Sequence, residues 1–205
     1  MELKVIAYAR NGHTDKFGIP RQSRDESPIL TRIVFEPDYR MPEALRGIDG
    51  YSHLWLIWGF NTTDWSPTVR PPRLGGNTRM GVFATRSPFR PNPLGLSSVR
   101  LIEIENGDLI VSGADVLDGT PIYDIKPYLS FSDCHEEARN GFAEQHKEDR
   151  LTVPFLRDIE YILSQDPRPG YQDDPEREYK MDYAGWKVTF CVQNGTVLIK
   201  KIEKT

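Results

Sequence analysis

Through the first two thirds of the chain, short runs rich in β-branched and aromatic residues alternate with Gly, Pro, Asn and Asp. Lys4–Tyr8, Ile29–Phe35, His53–Phe60, Met80–Thr85 and Val99–Ile104 fit strands, because such side chains pack on a pleated surface and the flanking residues favour turns. Asn106-Gly107, between LIEIE and LIVSG, predicts a type I′ hairpin, since both residues accept positive φ. One short helix is expected at Pro42–Arg46, with proline in its first turn and Gly47 ending it. The pattern is an antiparallel meander.

Between Asp133 and Arg150 apolar residues thin out and acidic ones dominate, which fits a solvated connection. Beyond it, Phe155, Leu156, Ile159, Ile162 and Leu163 fall on one helical face, with Thr152 and Pro154 near the start and Asp166-Pro167 as the stop. Trp186, Val188, Phe190 and Val192 then alternate with polar residues, Asn194-Gly195 turns the chain, and Val197–Ile202 returns. The expected organisation is a mainly β domain over 1–132, an acidic connecting segment over 133–150, and a small α+β domain, helix plus β-hairpin, over 151–205. No internal repeat is visible.

Charge adds a local feature. The formal net charge of -4 argues against wholesale nucleic-acid binding, yet Ser66 to Arg100 holds Arg70, Arg73, Arg79, Arg86, Arg90 and Arg100 with no lysine or acidic residue. Some of these arginines fit surface ion pairs. An all-arginine island also suits bidentate recognition of phosphate or carboxylate. The N-terminal stretch reads as neither signal peptide nor membrane span. Cys134 and Cys191 make no disulfide framework or zinc site, so a reducing, cytoplasmic setting is expected. No G-x-G-x-x-G follows a strand, and no P-loop or G-x-S-x-G is present. His13, His53, His135 and His146 show no metal spacing, and no metal is expected.

Four segments carry candidate chemistry. Gly18-Ile19-Pro20-Arg21-Gln22 places a guanidinium and an amide beside a rigid proline; alone, it would be a surface turn. His53 opens an aromatic strand, where a hydrogen-bonded, partly buried histidine is the ordinary outcome. Thr68–Leu101 repeats Pro and Gly, which fix loops at low entropic cost. Asp115–Tyr128 gathers carboxylates, a lysine and tyrosines around a tight turn, and Asp118-Gly119 also suits plain turn chemistry. On a strand Asp124 and Lys126 share one face.

RPPRLGGNTRMGVFATRSPFRPNPLGLSSVRL, DVLDGTPIYDIKPYL and SQDPRPGY resemble the TrmO (TsaA-like) family, which methylates N6 of N6-threonylcarbamoyladenosine at position 37 of tRNA. The resemblance runs from the first strand to the final hairpin, excepting the acidic connection. It implies a single-sheeted β-barrel methyltransferase domain, a small C-terminal domain, a homodimer, S-adenosyl-L-methionine as methyl donor and the tRNA anticodon loop as partner. By motif position it implies cofactor contacts at Pro20, Arg21, Gln22, His53, Leu54, Arg86, Leu96, Asp118, Gly119, Thr120 and Pro121.

N6 of the modified base belongs to a urea-like group whose lone pair is delocalised, so a positioned base or polarising cation helps. Asp124, Lys126 and Tyr128 are the candidates, with Asp124 or Lys126 as base and Tyr128 as a hydrogen-bonding or stacking group; Asp124 and Lys126 also fit a merely structural ion pair. Arg73 and Arg90 are candidates to read the threonyl carboxylate, and Arg168 and Tyr171 to meet the tRNA backbone, with a dimer contact or a helix stop as their alternative roles. Three other readings stand beside this one: a noncatalytic tRNA-binding module, a methyltransferase acting on another adenosine or small molecule, and a hydrolase, for which no nucleophile or metal set is found.

Overall fold

The computed structural model describes residues 2–14, 23, 27–61, 64–71, 78–146, 157–166, 168 and 174–204. In chain order its first strands are β1 (Ala7–Arg10), β2 (Leu30–Phe35), β3 (His53–Gly59), β4 (Thr68–Val69), β5 (Met80–Gly81), β6 (Leu94–Glu105), β7 (Asp108–Ser112) and β8 (Pro121–Pro127). Six of them close into an antiparallel barrel in the order β1-β2-β7-β6-β3-β8, while β4 and β5 form a separate two-stranded ribbon. Alternation explains the closure. Leu54, Leu56 and Trp58 of β3 point inward with Val99, Leu109, Val111 and Ile122, all buried. Emptying one such site, Leu56→Ala for example, removes about 2–5 kcal/mol of stability.

Asn106 and Gly107 take φ of 54° and 80° and join β6 to β7, the expected type I′ turn. The first strand runs over Ala7–Arg10 rather than Lys4–Tyr8, and two further expected elements differ in kind. Met80–Thr85 is a strand only at Met80–Gly81; Val82–Ala84 then forms a 3-10 turn, because Val82 buries its side chain while its carbonyl accepts both the Thr85 N–H (3.1 Å) and the Thr85 hydroxyl (2.9 Å). Pro42–Arg46 is a run of i→i+3 turns rather than a helix, with Leu45 N–H on the Pro42 carbonyl at 3.2 Å. So few residues cannot meet the cost of helix nucleation alone.

After β8 come α1 (Ser130–Asp133), a 3-10 segment at Gly141–His146, and α2 (Arg157–Ser164). Residues 134–141 are exposed, and Asp166 at φ 49° ends the helical stretch. Phe155, Leu156 and Pro167 lie outside the described residues. The small region is larger than a hairpin: β9 (Tyr179–Tyr183), β10 (Trp186–Gln193) and β11 (Thr196–Lys204) make a three-stranded sheet. The unexpected β9 is joined by Ala184-Gly185, both at positive φ, a turn that Ala does not advertise. α2 packs Ile159, Ile162 and Leu163 on this sheet, and Ile29, just before β2, joins that core. The β9–β10 turn also docks on the barrel, Ala184 N–H donating to the Gly12 carbonyl at 3.1 Å. Gly12 eases this close approach, since a Cβ would stand 3.0 Å from the Tyr183 ring and press on it.

Candidate active site

One end of the barrel carries a buried polar chain. The Trp58 indole donates to Ser97 Oγ at 2.8 Å, and the Ser97 hydroxyl donates to Asp115 Oδ1. Gly95 makes this possible, because a Cβ there would lie 2.2 Å from the indole. Burial of its carboxyl pushes the Asp115 pKa up; the hydrogen bonds from Ser97 and the Ser23 main chain, and the nearby Arg86 charge, oppose the shift. Neither Ser97 nor Trp58 was singled out in the sequence, where both look like ordinary strand residues.

The turn Asp118–Pro121 sits at the same end, laced to the residues that follow β1. Asp118 Oδ1 accepts the Asn11 N–H at 3.0 Å, its own N–H reaches the His13 carbonyl at 2.9 Å, and Arg10 lies 3.6 Å from Oδ2. Gly119, at φ 78°, donates to the Ala9 carbonyl at 2.8 Å, and Thr120 is buried. This turn chemistry leaves Asp118 half exposed at the rim.

The outer wall formed by β8, β3 and β6 gathers a second group. A bulge between Ile57 and Trp58 leaves Tyr123 unpaired, seated over Gly59, and so sets the phase of β8 beyond it. Asp124 then pairs with Ile57, which faces Leu96 on its other side, Lys126 pairs with Trp55, which faces Ser98, and Tyr128 packs near His53, which faces Arg100. Lys126 Nζ pairs with Asp124 Oδ2 at 2.9 Å, with side chains 61% and 45% exposed, so both heads face solvent. Ser52 Oγ meets His53 Nδ1 at 2.8 Å, and Tyr128 packs on both His53 and Trp55. Asp133 fixes this corner: its Oδ2 accepts the Leu129 N–H at 2.9 Å and the Trp55 indole at 2.8 Å, which hold its pKa below the usual carboxylate range. Desolvation, then Cys134 and Asp133, raise the Tyr128 hydroxyl.

The structure therefore divides the sequence-derived cofactor set. Arg86 and Asp118–Pro121 lie at the barrel end, Leu96 on the wall, and His53 at the far end of β8, a strand about 20 Å long at ~3.3 Å per residue. The Leu54 side chain fills the barrel interior and faces away from the wall. Arg90 donates Nη1 to the carbonyls of Val82 (3.1 Å) and Thr85 (2.8 Å). Arg168 clamps Asp166 with two bonds, 2.8 and 3.0 Å, as a helix stop would. Pro20, Arg21, Gln22, Arg73 and Tyr171 lie outside the described residues.

The model of the tRNA-methyltransferase O N-terminal domain matches residues 8–134, and that of the TrmO C-terminal domain matches residues 133–205. The chain belongs to the TrmO family. A tRNA (adenine(37)-N6)-methyltransferase of Eikenella corrodens is 48% identical over 170 residues, 74% of this chain and 97% of the relative. A Pseudomonas aeruginosa relative, 42% identical over 200 residues and 86% of each chain, is provisionally named an S-adenosylmethionine-dependent methyltransferase, RcsF. The crystal structure of TrmO from Pseudomonas aeruginosa superposes with a TM-score of 0.81 at 30% identity, covering 99% of this chain and 98% of that one. Among the described residues of this TrmO-family chain no acidic, His or Cys cluster could hold a metal, and no helix is long and apolar enough to cross a membrane.

Proposed function

We propose that this TrmO-family enzyme transfers a methyl group from S-adenosylmethionine to N6 of the adenosine at position 37 of tRNA, with the threonylcarbamoyl-bearing base as its substrate. The observation that carries the reading is the match of both TrmO domains across residues 8–205, the same span that holds the barrel end and the outer wall. The residues at the barrel end suit the donor. Arg86 answers a carboxylate, while Asp118 and the main chain of its turn answer an ammonium or ribose hydroxyls. S-adenosylmethionine, when bound, supplies an electrophilic methyl group.

The rest of the chemistry belongs to the chain. Asp124 would take the N6 proton as the delocalised nitrogen loses it, Lys126 would hold Asp124 in place and polarise the urea-like carbonyl, and Tyr128, backed by His53 and Trp55, would stack on the base. Fixing the nucleophile near the donor removes much of the entropic barrier. Because His53 and Arg86 lie at different ends of β8, a homodimer in which the wall of one copy meets the barrel end of the other would complete the site.

Purified protein incubated with S-adenosylmethionine and tRNA bearing threonylcarbamoyladenosine should yield its N6-methylated nucleoside by mass spectrometry. Binding of tRNA with neither saturable S-adenosylmethionine binding nor methylation would instead support a noncatalytic module. Methylation of only an unmodified adenosine would move the substrate assignment.

A further inference from the structure

We propose that Trp65, Phe83 and Phe89 form a base-stacking surface for single-stranded nucleotides of the substrate RNA, a role that rests on the tRNA reading above. The three side chains are 56%, 74% and 43% exposed, an unusual concentration for large aromatics within 25 residues of sequence. They are carried by one knitted module that leaves β3 and returns to β6, closed at its base by the Phe60 N–H on the Pro93 carbonyl at 2.8 Å. Within it, Ser66 N–H donates to the Phe89 carbonyl at 3.1 Å and Val82 N–H to the Pro67 carbonyl at 3.0 Å. Arg79 caps Thr68 through Oγ1 at 2.8 Å. Arg90, anchored on Val82 and Thr85, places its guanidinium 5.6 Å from the Phe83 ring centre. Among the described residues of the module, these hydrogen bonds tie the segments that carry the aromatics to one another, which lowers the cost of presenting the rings to a ligand.

Two occupants suit exposed rings, a nucleic acid and a second copy of the chain. Charge decides between them. From Ser66 to Arg100 every ionised side chain is an arginine, and Arg70, Arg79 and Arg86 are exposed. A two-fold interface centred here would set this cationic patch against itself, since both copies present the same surface. Unpaired loop nucleotides instead bring phosphates to the arginines and flat bases to the rings, the combination that single-stranded recognition uses. The module also carries Arg86, whose charge acts on Asp115, so a strand held on it runs towards the proposed donor site.

The test uses the full chain and a fluorescent anticodon stem-loop RNA. Phe83→Ala and Trp65→Ala should each weaken RNA binding about ten-fold or more, as loss of one stacked base does. S-adenosylmethionine affinity, melting temperature and the salt slope of binding should stay at wild-type values, and Phe83→Trp should restore RNA affinity. Unchanged RNA affinity in both alanine variants, while the wild type methylates tRNA, overturns the stacking surface alone. A change of oligomeric state in the same variants also overturns it, in favour of a copy-to-copy contact. A wild type that binds no tRNA loop removes the proposed function together with this surface.

Discussion

Lys126 and Asp124 close an ion pair of 2.9 Å on the outward face of β8, and Asp124 also accepts the N–H of Ile125 at 2.9 Å through its other oxygen. Both carboxylate oxygens are thus aimed, one along the strand and one at the ammonium. As the base for N6, Asp124 would contribute on the order of 100-fold to turnover. Asp124→Asn keeps the shape and removes the basicity. It should lower single-turnover methylation by about that factor with tRNA KM nearly unchanged, whereas Lys126→Met should produce a smaller loss. Wild-type turnover in Asp124→Asn would return the pair to a structural role.

The raised pKa of Asp115 fixes the sign of a pH effect. A carboxyl that holds its proton more tightly when folded contributes stability that is complete below its ordinary value of 3.8 and is lost as pH rises through the higher folded value. Asp115→Asn has no such loss. The melting temperature of this variant relative to wild type should therefore be more favourable at pH 7 than at pH 3, measured by calorimetry. A difference independent of pH would mean that the folded carboxyl titrates normally.

Tyr183 gives the alkaline counterpart. Desolvation, then the Asp158 charge and its 3.4 Å contact, push its pKa up to about 12. The folded chain keeps a phenol proton that the unfolded chain releases near 10, so this contribution persists below pH 10 and disappears as pH climbs to about 12. Replacing Tyr183 by Phe should flatten the loss of stability across that window relative to wild type. Parallel melting curves for the two proteins between pH 9 and 12 would count against it.

The barrel was legible because its signals are local. Asn106-Gly107 and the alternation of Leu54, Leu56 and Trp58 each follow from a few neighbouring residues. What was missed depends on distant partners. Ser97 becomes part of a site only where Trp58 and Asp115 meet it across the barrel, and nothing in its sequence neighbourhood says so. The Tyr123 bulge, which sets the outward phase of Asp124, leaves no residue-type mark either. Motif resemblance pointed to Arg86, His53 and Asp118 but could not show that a strand's length separates His53 from the other two.

That separation is testable by mixing subunits. If one copy supplies His53 and the other Arg86, His53→Ala and Arg86→Ala proteins should each be poorly active alone. Mixed and allowed to exchange, they should regain roughly a quarter of wild-type activity, since half of the dimers are mixed and only one of the two sites in each is intact. No recovery despite demonstrated exchange would place both residues in a single-chain site, or remove one of them from it.

Arg90 and Arg86 should differ in how they fail. Arg90 spends Nη1 on the carbonyls of Val82 and Thr85, so Arg90→Met should loosen the turn that carries Phe83 and weaken methylation of modified and unmodified tRNA alike. Arg86, exposed at the barrel end, would as a donor-binding residue weaken S-adenosylmethionine about ten- to hundred-fold when changed to Ala, the effect of one lost charge-assisted bond. Neither pattern is that of a carboxylate reader. A residue that recognises the threonyl group must leave a desolvated cation unpaired when the group is missing, which should give the wild type roughly hundred-fold or greater preference for modified tRNA. Arg73 is the remaining candidate, and Arg73→Met should narrow that preference by lowering turnover of the modified tRNA alone. A general phosphate contact would instead weaken both tRNAs and flatten the salt dependence. Methylation of both tRNAs by the three variants at two salt concentrations separates these outcomes, and equal turnover of the two tRNAs by the wild type would exclude carboxylate recognition by any arginine.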